Sequence, residues 1–159
     1  MIVVSDTGPL ISLAVINQLD LLEKIFEKVI IPEAVWDELL DQIETFNIPQ
    51  VSRFQANVIP LKQKDIFLDG IDLGETEAIL LYEESHADQL LIDDKFARTE
   101  AESRNISCLG TLAVLVKAKE QKYISNLKPF FLQFLAKKRY YSKTLLNAVL
   151  SACNEDPLP

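Results

Sequence analysis

The sequence predicts an α/β fold in which a parallel sheet is covered by helices on both faces. Its strand-like runs are short and apolar throughout instead of alternating, which is typical of strands buried on both sides. Helical patterns separate these runs, as connections between parallel strands require. A chain of 159 residues, 48% of them hydrophobic, is long enough to bury a substantial core. We therefore expect residues 1–159 to form one domain.

The elements follow from the order of these patterns. Runs of β-branched and aliphatic residues predict strands at residues 2–4, 29–31, 90–92 and 106–109. Helical patterns are expected at about 9–22, 32–44, 74–86, 95–104 and 110–151. Pro32 suits the first turn of the second helix, and breaks near Ser125 and Pro129 divide the last stretch. Pro49 and Pro60 bracket a middle segment without a clear pattern.

Composition excludes several classes of protein. Four glycines, seven prolines and 25% charged residues argue against disordered, collagen-like and linker sequences. No apolar stretch approaches the roughly 20 residues that a membrane span needs, and the N-terminus lacks the basic region of a signal peptide. Cys108 and Cys153 form neither a disulfide framework nor a zinc pattern. We expect a cytoplasmic protein with no membrane partner.

Charge is divided unevenly along the chain. Residues 1–102 hold 21 acidic and 7 basic residues, a balance of -14, whereas residues 103–159 hold 3 and 9, a balance of +6. The basic part also carries the aromatic residues Tyr123, Phe130, Phe131, Phe134, Tyr140 and Tyr141. Either its bases form a solvated helix face over buried aromatics, or they follow the phosphates of a nucleic acid. In the second case Lys137, Lys138 and Arg139 are candidate substrate-binding residues.

Two aspartates follow predicted strands. Asp6 ends the first strand and Asp93 ends the third. Ligands of open parallel sheets bind beyond the carboxyl ends of the strands, so the two acids meet at one edge if those strands are neighbours. An aspartate after a strand also commonly caps the next helix. Both roles remain open for each residue.

Two glutamates stand apart from the wet faces of their helices. At 100° per residue, Glu38 lies on the far border of its helix's apolar arc, where it either packs its methylenes or reaches into a cleft. Glu75 falls between Ile79 and Tyr82 on the apolar side of the next helix. A carboxylate there costs free energy unless something binds it, although the helix dipole offsets part of that cost in a first turn.

Four converging acids would repel one another unless one is neutralised or a cation lies among them. Ligand sets made of oxygen favour Mg²⁺ or Mn²⁺ over zinc, and the single histidine, His86, has no partner ligand nearby. Such an ion beside a basic surface suits hydrolysis of phosphodiesters in RNA or DNA, since it activates water and stabilises the leaving oxygen. The motifs GxSxG, GxxxxGK[ST] and GxGxxG do not occur.

Five runs in order carry a resemblance to a known family. They are SDTGPLI at 5–11, IPEAVWDEL at 31–39, GETEAI at 74–79, LIDD at 91–94 and GTLAVL at 110–115. Together they resemble the PIN domain, and more closely the small prokaryotic PIN-like group that is related to toxin–antitoxin nucleases. The resemblance covers residues 2–120 as the core, and the C-terminal helical part at about 121–151 also suits the group.

The resemblance implies a three-layer α/β/α sandwich with an acidic cleft for one or two divalent ions. Carried over by position, the catalytic and metal-binding acids are Asp6, Glu38, Glu75 and Asp93, with Asp94 as the alternative to Asp93. At position 75 the family more often has aspartate. The spacing to the following phenylalanine favours Asp93 as the ligand and Asp94 as a helix N-cap. Thr7, or Ser5, either lends a hydroxyl to water at this site or is only a turn residue, and Thr7 is also a candidate for substrate binding.

The resulting prediction is a Mg²⁺- or Mn²⁺-dependent endoribonuclease, the toxin of a toxin–antitoxin pair. Its partners would be RNA, an antitoxin that inserts a basic or aromatic segment, and a second copy in a homodimer, which the resemblance implies. The alternative is a non-catalytic PIN-like domain that binds nucleic acid or a protein partner. A phospho-accepting receiver domain fits less well, because it needs an acid pair at the first strand, where only Asp6 is present.

Overall fold

The computed structural model describes residues 1–139 and 141–159, and its centre is a five-stranded parallel sheet. The strands are β1 Ile2–Ser5, β2 Lys28–Pro32, β3 Val58–Ile59, β4 Gln89–Leu91 and β5 Cys108–Leu109, in the order β3-β2-β1-β4-β5. Helices are α1 Thr7–Val15, α2 Asp20–Ile25, α3 Glu33–Phe46, α4 Leu73–Ser85, α5 Lys95–Ser103, α6 Thr111–Glu120, α7 Lys128–Ala136 and α8 Lys143–Ala152. The predicted α/β class is confirmed.

Successive residues of the central strand point to opposite sides of the sheet. Val3 belongs to a core shared with α1, α2, α3, α6, α7 and α8. Val4 belongs to a second core shared with α4 and α5. Both side chains are fully buried, which explains why the strands are apolar throughout. The sheet is therefore covered on both faces, as predicted.

The sheet order places the two candidate aspartates at one edge. β1 pairs with β4 in parallel, with Ser5 opposite Leu91. The backbone N–H of Asp6 then donates to the carbonyl of Leu91 at 2.9 Å. Asp6 and Asp93 thus leave neighbouring strands in the same direction, which is the condition that the sequence could not settle.

The sequence prediction was wrong in one segment and assigned no element in another. Residues 9–22 do not form one helix, because Asn17 adopts a left-handed backbone (φ 57°) just after α1, and such a residue ends a helix. The middle segment contains a 3₁₀ helix at Pro49–Asn57 and the two-residue edge strand β3. Neither has the length or the periodicity that a pattern needs to be recognised.

The predicted break near Ser125 occurs between α6 and α7, whereas Pro129 lies in the first turn of α7 and does not interrupt it. A further break separates α7 from α8. The C-terminal tail is held against these helices by Glu155, which accepts hydrogen bonds from Lys119 Nζ at 2.7 Å and from the backbone N–H of Leu127 at 2.8 Å. Leu158 is buried.

No helix in the described part of the chain is long and apolar enough to cross a membrane.

Candidate functional site

Asp6 is the most buried acid of the site. It lies between β1 and α1 with 6% of its surface exposed, and its side chain makes no capping hydrogen bond to the helix. Its Oδ1 atom is buried and has no hydrogen-bond partner among the described residues. Burial raises the pKa of Asp6 well above its ordinary value, and nearby Glu75 and Glu38 add to the shift, while the backbone N–H of Thr7 opposes it. The sequence left a capping role open for Asp6, and the structure does not support it.

Glu38 reaches this position from α3, where its side chain is half-buried. The Thr7 hydroxyl donates a hydrogen bond to Glu38 Oε2. Gly74 lies directly against the carboxylate, since a Cβ added there would be 2.7 Å from Glu38 Cδ. Burial raises the pKa of Glu38, with a smaller contribution from Asp72, and the Thr7 hydroxyl acts in the opposite direction. The structure thus gives Thr7 a contact with Glu38.

Glu75 and Asp72 hold each other at the start of α4. Asp72 Oδ1 accepts from the backbone N–H of Glu75 at 2.8 Å, and Glu75 Oε2 accepts from the backbone N–H of Asp72 at 3.2 Å. This reciprocal arrangement is a capping box. Burial raises the pKa of Glu75 to about 7, and the carboxylates of Asp72, Asp94 and Glu38 contribute as well.

Asp72 is the site residue that the sequence analysis missed. Its charge adds to the raised pKa of Asp6, Glu38 and Glu75 alike. The signal was present, because an aspartate three residues before Glu75 is the sequence pattern of a capping box.

Asp93 and Asp94 have different partners. Asp94 Oδ2 accepts from the backbone N–H of Ala97 at 2.8 Å and caps α5, as the spacing predicted. Asp93 Oδ1 accepts from the backbone N–H of Thr111 at 2.8 Å, and its Oδ2 accepts from the Thr111 hydroxyl at 2.6 Å and from the Tyr141 hydroxyl at 2.8 Å. Asp93 therefore lies at the predicted edge but is turned toward α6 and the C-terminal part.

The three candidate substrate-binding bases, Lys137, Lys138 and Arg139, differ in exposure and in hydrogen-bond partners. Lys138 is exposed, whereas the Lys137 ammonium donates to the carbonyl of Val15 at the end of α1. Arg139 is half-buried: its Nε donates to Ser12 Oγ at 3.0 Å, and its guanidinium lies 5.3 Å from the centre of the Phe46 ring. Tyr140, from the same aromatic set, lies outside the described residues.

A groove opens from Asp93 along the C-terminal part. Its walls are the apolar side chains of α6 and α8, and the cations Arg98, Lys117 and Arg139 also line it. Lys117 and Arg139 come from the basic third of the chain and Arg98 comes from α5, so the groove beside Asp93 is partly cationic.

The acids of this site offer only oxygen ligands for a divalent cation. Among residues 1–139 and 141–159, no three His, Cys, Asp or Glu side chains are placed to hold one ion as they stand. The donors are nonetheless all oxygen atoms, and Asp6 Oδ1 is a buried acceptor without a donor. Burial and mutual repulsion raise the pKa of Asp6, Glu38 and Glu75. A bound cation would offset both effects, because its positive charge stabilises the ionised carboxylates. The donor set therefore fits Mg²⁺ or Mn²⁺, provided that Glu38 or Glu75 turns from its present partner.

Comparisons with known proteins agree with this fold. Residues 2–155 match a protein family described as PIN domain. A solved structure of a PilT N-terminus domain protein from the hyperthermophilic archaeon Sulfolobus solfataricus P2 superposes with a TM-score of 0.54 at 16% sequence identity. The alignment covers 74% of this chain and 93% of that chain, and at this identity the likeness concerns the fold alone. No curated protein gives a significant match.

Proposed function

We propose, because this chain belongs to the PIN domain family and the family's fold is of the nuclease type, that it is a metal-dependent endoribonuclease. The proposed reaction is hydrolysis of RNA phosphodiester bonds with Mg²⁺ or Mn²⁺ at the acid site. DNA is chemically possible as well, since the reaction needs no 2′-hydroxyl.

One observation carries the proposal. Asp6 is buried at the carboxyl edge of the sheet with an unpartnered oxygen atom, and Glu38 and Glu75 both lie close enough to raise its pKa. A structural carboxylate in such a place normally has a donor or a counter-charge, because an unpaired buried charge is costly. This cost is expected where a protein reserves a position for a cation.

The chain's own residues divide the work. Asp6, Glu38 and Glu75 would hold the ion, with Asp93 or Asp94 at the border of the site. When bound, the ion supplies Lewis acidity, which lowers the pKa of water and offsets charge on the phosphate. The Thr7 hydroxyl orients Glu38. We give Arg139 the role of a phosphate contact, since it borders the groove next to Asp93.

The partners are proposed on the same basis. The protein would act in the cytoplasm as the toxin of a toxin–antitoxin pair, with an antitoxin that places a basic or aromatic segment on the acids. A homodimer is also proposed. Lys137 and Lys138 are weaker candidates for substrate binding than Arg139, because Lys137 is bonded to α1 and Lys138 extends into solvent.

A second function is favoured by a separate observation. The Thr7 hydroxyl is hydrogen-bonded to Glu38, and Glu75 is held in the capping box. In the described part of the chain, no three potential ligands are placed to hold one ion. If these contacts persist in solution, the protein would be a non-catalytic PIN-like domain that binds nucleic acid or a protein partner.

Cleavage of an end-labelled RNA pool of mixed sequence separates the two functions. Wild-type protein is compared with Asp6→Asn, with and without EDTA, and with Asp41→Asn as the matched control, because Asp41 is an exposed aspartate on α3. The nuclease proposal predicts cleavage that needs Mn²⁺ or Mg²⁺, disappears in Asp6→Asn and persists in Asp41→Asn. If folded wild type does not cleave RNA but binds it equally well with and without the divalent ion, the result would support the non-catalytic binding domain.

A further inference from the structure

A residue between α7 and α8 contacts Asp93 at the border of the acid site. This residue, Tyr141, donates its hydroxyl proton to Asp93 Oδ2 at 2.8 Å. Its ring packs against Phe134 of α7, with the ring centres 4.9 Å apart. The Tyr141 side chain is half-buried. It is held by the contact between the two rings and by the hydrogen bond of its hydroxyl.

The hydrogen bonds around Tyr141 form a chain with one direction. Arg139 Nε lies 3.0 Å from Ser12 Oγ, and Ser12 Oγ lies 2.9 Å from the Tyr141 hydroxyl. Arginine only donates and a carboxylate only accepts, so the two ends fix every proton between them. Arg139 donates to Ser12, Ser12 donates to Tyr141, and Tyr141 donates to Asp93. Chains that run in one direction polarise each bond and strengthen it.

These hydrogen bonds limit the number of lone pairs that the Asp93 carboxylate can offer to a ligand. Its Oδ2 accepts from both Tyr141 and the Thr111 hydroxyl, and its Oδ1 accepts from the backbone N–H of Thr111. Each carboxylate oxygen has about two lone-pair positions. Oδ2 is therefore fully occupied, and one position on Oδ1 remains.

We propose that Tyr141 is a positioning residue, which locks Asp93 so that it presents a single oxygen, Oδ1, to the ion or to water at the proposed nuclease site. The inference rests on the proposed function. It assigns the C-terminal part a role in the chemistry in addition to covering the sheet. It also links Arg139, the proposed phosphate contact, to Asp93 through Ser12 and Tyr141.

The role of Tyr141 is tested by measuring Mn²⁺ binding to the full chain, with electron paramagnetic resonance used to quantify the free ion. In Tyr141→Phe we expect Mn²⁺ to bind about tenfold more weakly, as is typical when a group that orients a metal ligand is removed. Tyr123→Phe is the matched control, since its exposed hydroxyl donates to the carbonyl of Lys24 at 3.1 Å, far along the chain from the acids. RNA cleavage by Tyr141→Phe should lose kcat by about tenfold with KM unchanged.

Each outcome decides the inference. Wild-type Mn²⁺ affinity and kcat in a folded Tyr141→Phe would overturn it and leave the proposed function intact. If wild type binds Mn²⁺ but cleaves no RNA, the proposed function fails, and the Mn²⁺ comparison still decides the role of Tyr141. If wild type binds no Mn²⁺, both are overturned. Should Tyr141→Phe not fold, Ser12→Ala replaces it. A weaker loss of Mn²⁺ affinity is expected, because this change removes the donor to the Tyr141 hydroxyl and the acceptor of Arg139 but leaves the hydrogen bond from Tyr141 to Asp93.

Discussion

Replacing Asp6 by asparagine keeps the shape of the side chain and removes its charge. The wild-type carboxylate is 6% exposed, and its Oδ1 has no partner among the described residues. An unpaired buried charge costs several kcal/mol, whereas a buried amide with an unmet hydrogen bond costs about 1–3 kcal/mol. Without a divalent ion, Asp6→Asn should therefore stabilise the protein by about 1–3 kcal/mol near neutral pH.

The pH dependence of this effect follows from the direction of the pKa shift. The pKa of Asp6 is raised by folding from its ordinary value of 3.8. The folded state then holds the proton more tightly than the unfolded state, so the contribution of Asp6 to wild-type stability is greatest below about pH 4 and is lost as the pH rises through the folded pKa. The advantage of Asp6→Asn should be absent in acid and complete above the folded pKa of Asp6.

Thermal unfolding followed by circular dichroism measures both effects. For a chain of this size, 1 kcal/mol corresponds to about 2–4 °C, so Asp6→Asn should melt about 2–12 °C higher in EDTA. Mn²⁺ at about 100 times its Kd should stabilise wild type by about 2.7 kcal/mol and leave Asp6→Asn unchanged. Asp41→Asn should behave as wild type throughout. A lower melting temperature for Asp6→Asn in EDTA, or an equal response to Mn²⁺, would refute the reasoning.

Three further changes test other parts of the account. Glu75→Gln should flatten the loss of stability that wild type shows between about pH 4.5 and 7; the effect should be smaller than for Asp6, since solvent screens a half-exposed side chain. An unchanged pH profile would contradict this. Gly74→Ala should displace Glu38 and abolish the Mn²⁺-induced rise in melting temperature, while the protein keeps most of its stability because alanine favours the helix; a normal ion response would show that Glu38 is not a ligand. Glu155→Gln should cost about 1–3 kcal/mol in urea unfolding by weakening the contact with Lys119. Burial alone would raise the pKa of Glu155, but the hydrogen bonds that its carboxylate accepts outweigh burial, so the pKa is lower than the ordinary value. The stability that Glu155 contributes is therefore lost as the pH falls through this lowered pKa.

Much of the fold could be predicted because its pattern is carried by runs of apolar residues. The strand at residues 2–4 and the helix after Pro32 are recognisable from local sequence, and the alternation of the two predicts a parallel sheet. The pairing of β1 with β4 could not be deduced in this way, since strand order depends on contacts between distant residues. The strand β3 was missed because two residues carry no periodicity.

The site could be predicted only in part. Strand ends and helix faces pointed to Asp6, Glu38 and Glu75, and the structure brings these three together. The partners of Asp93 could not be found from local sequence, because Tyr141 is 48 positions away and reaches it through the packing of α7 and α8. Hydrogen bonds between distant side chains leave no periodic signal in a single sequence.

The central claim is that the acids around Asp6 hold the ion that cleaves RNA. It is tested most directly by measuring Mn²⁺ binding and RNA cleavage in the same samples while Mn²⁺ is raised. We expect the cleavage rate of wild type to rise along its Mn²⁺ binding curve. Asp6→Asn should lose binding and cleavage together, while Asp41→Asn keeps both. Cleavage that continues in Asp6→Asn, or Mn²⁺ binding by wild type without any cleavage, would contradict it.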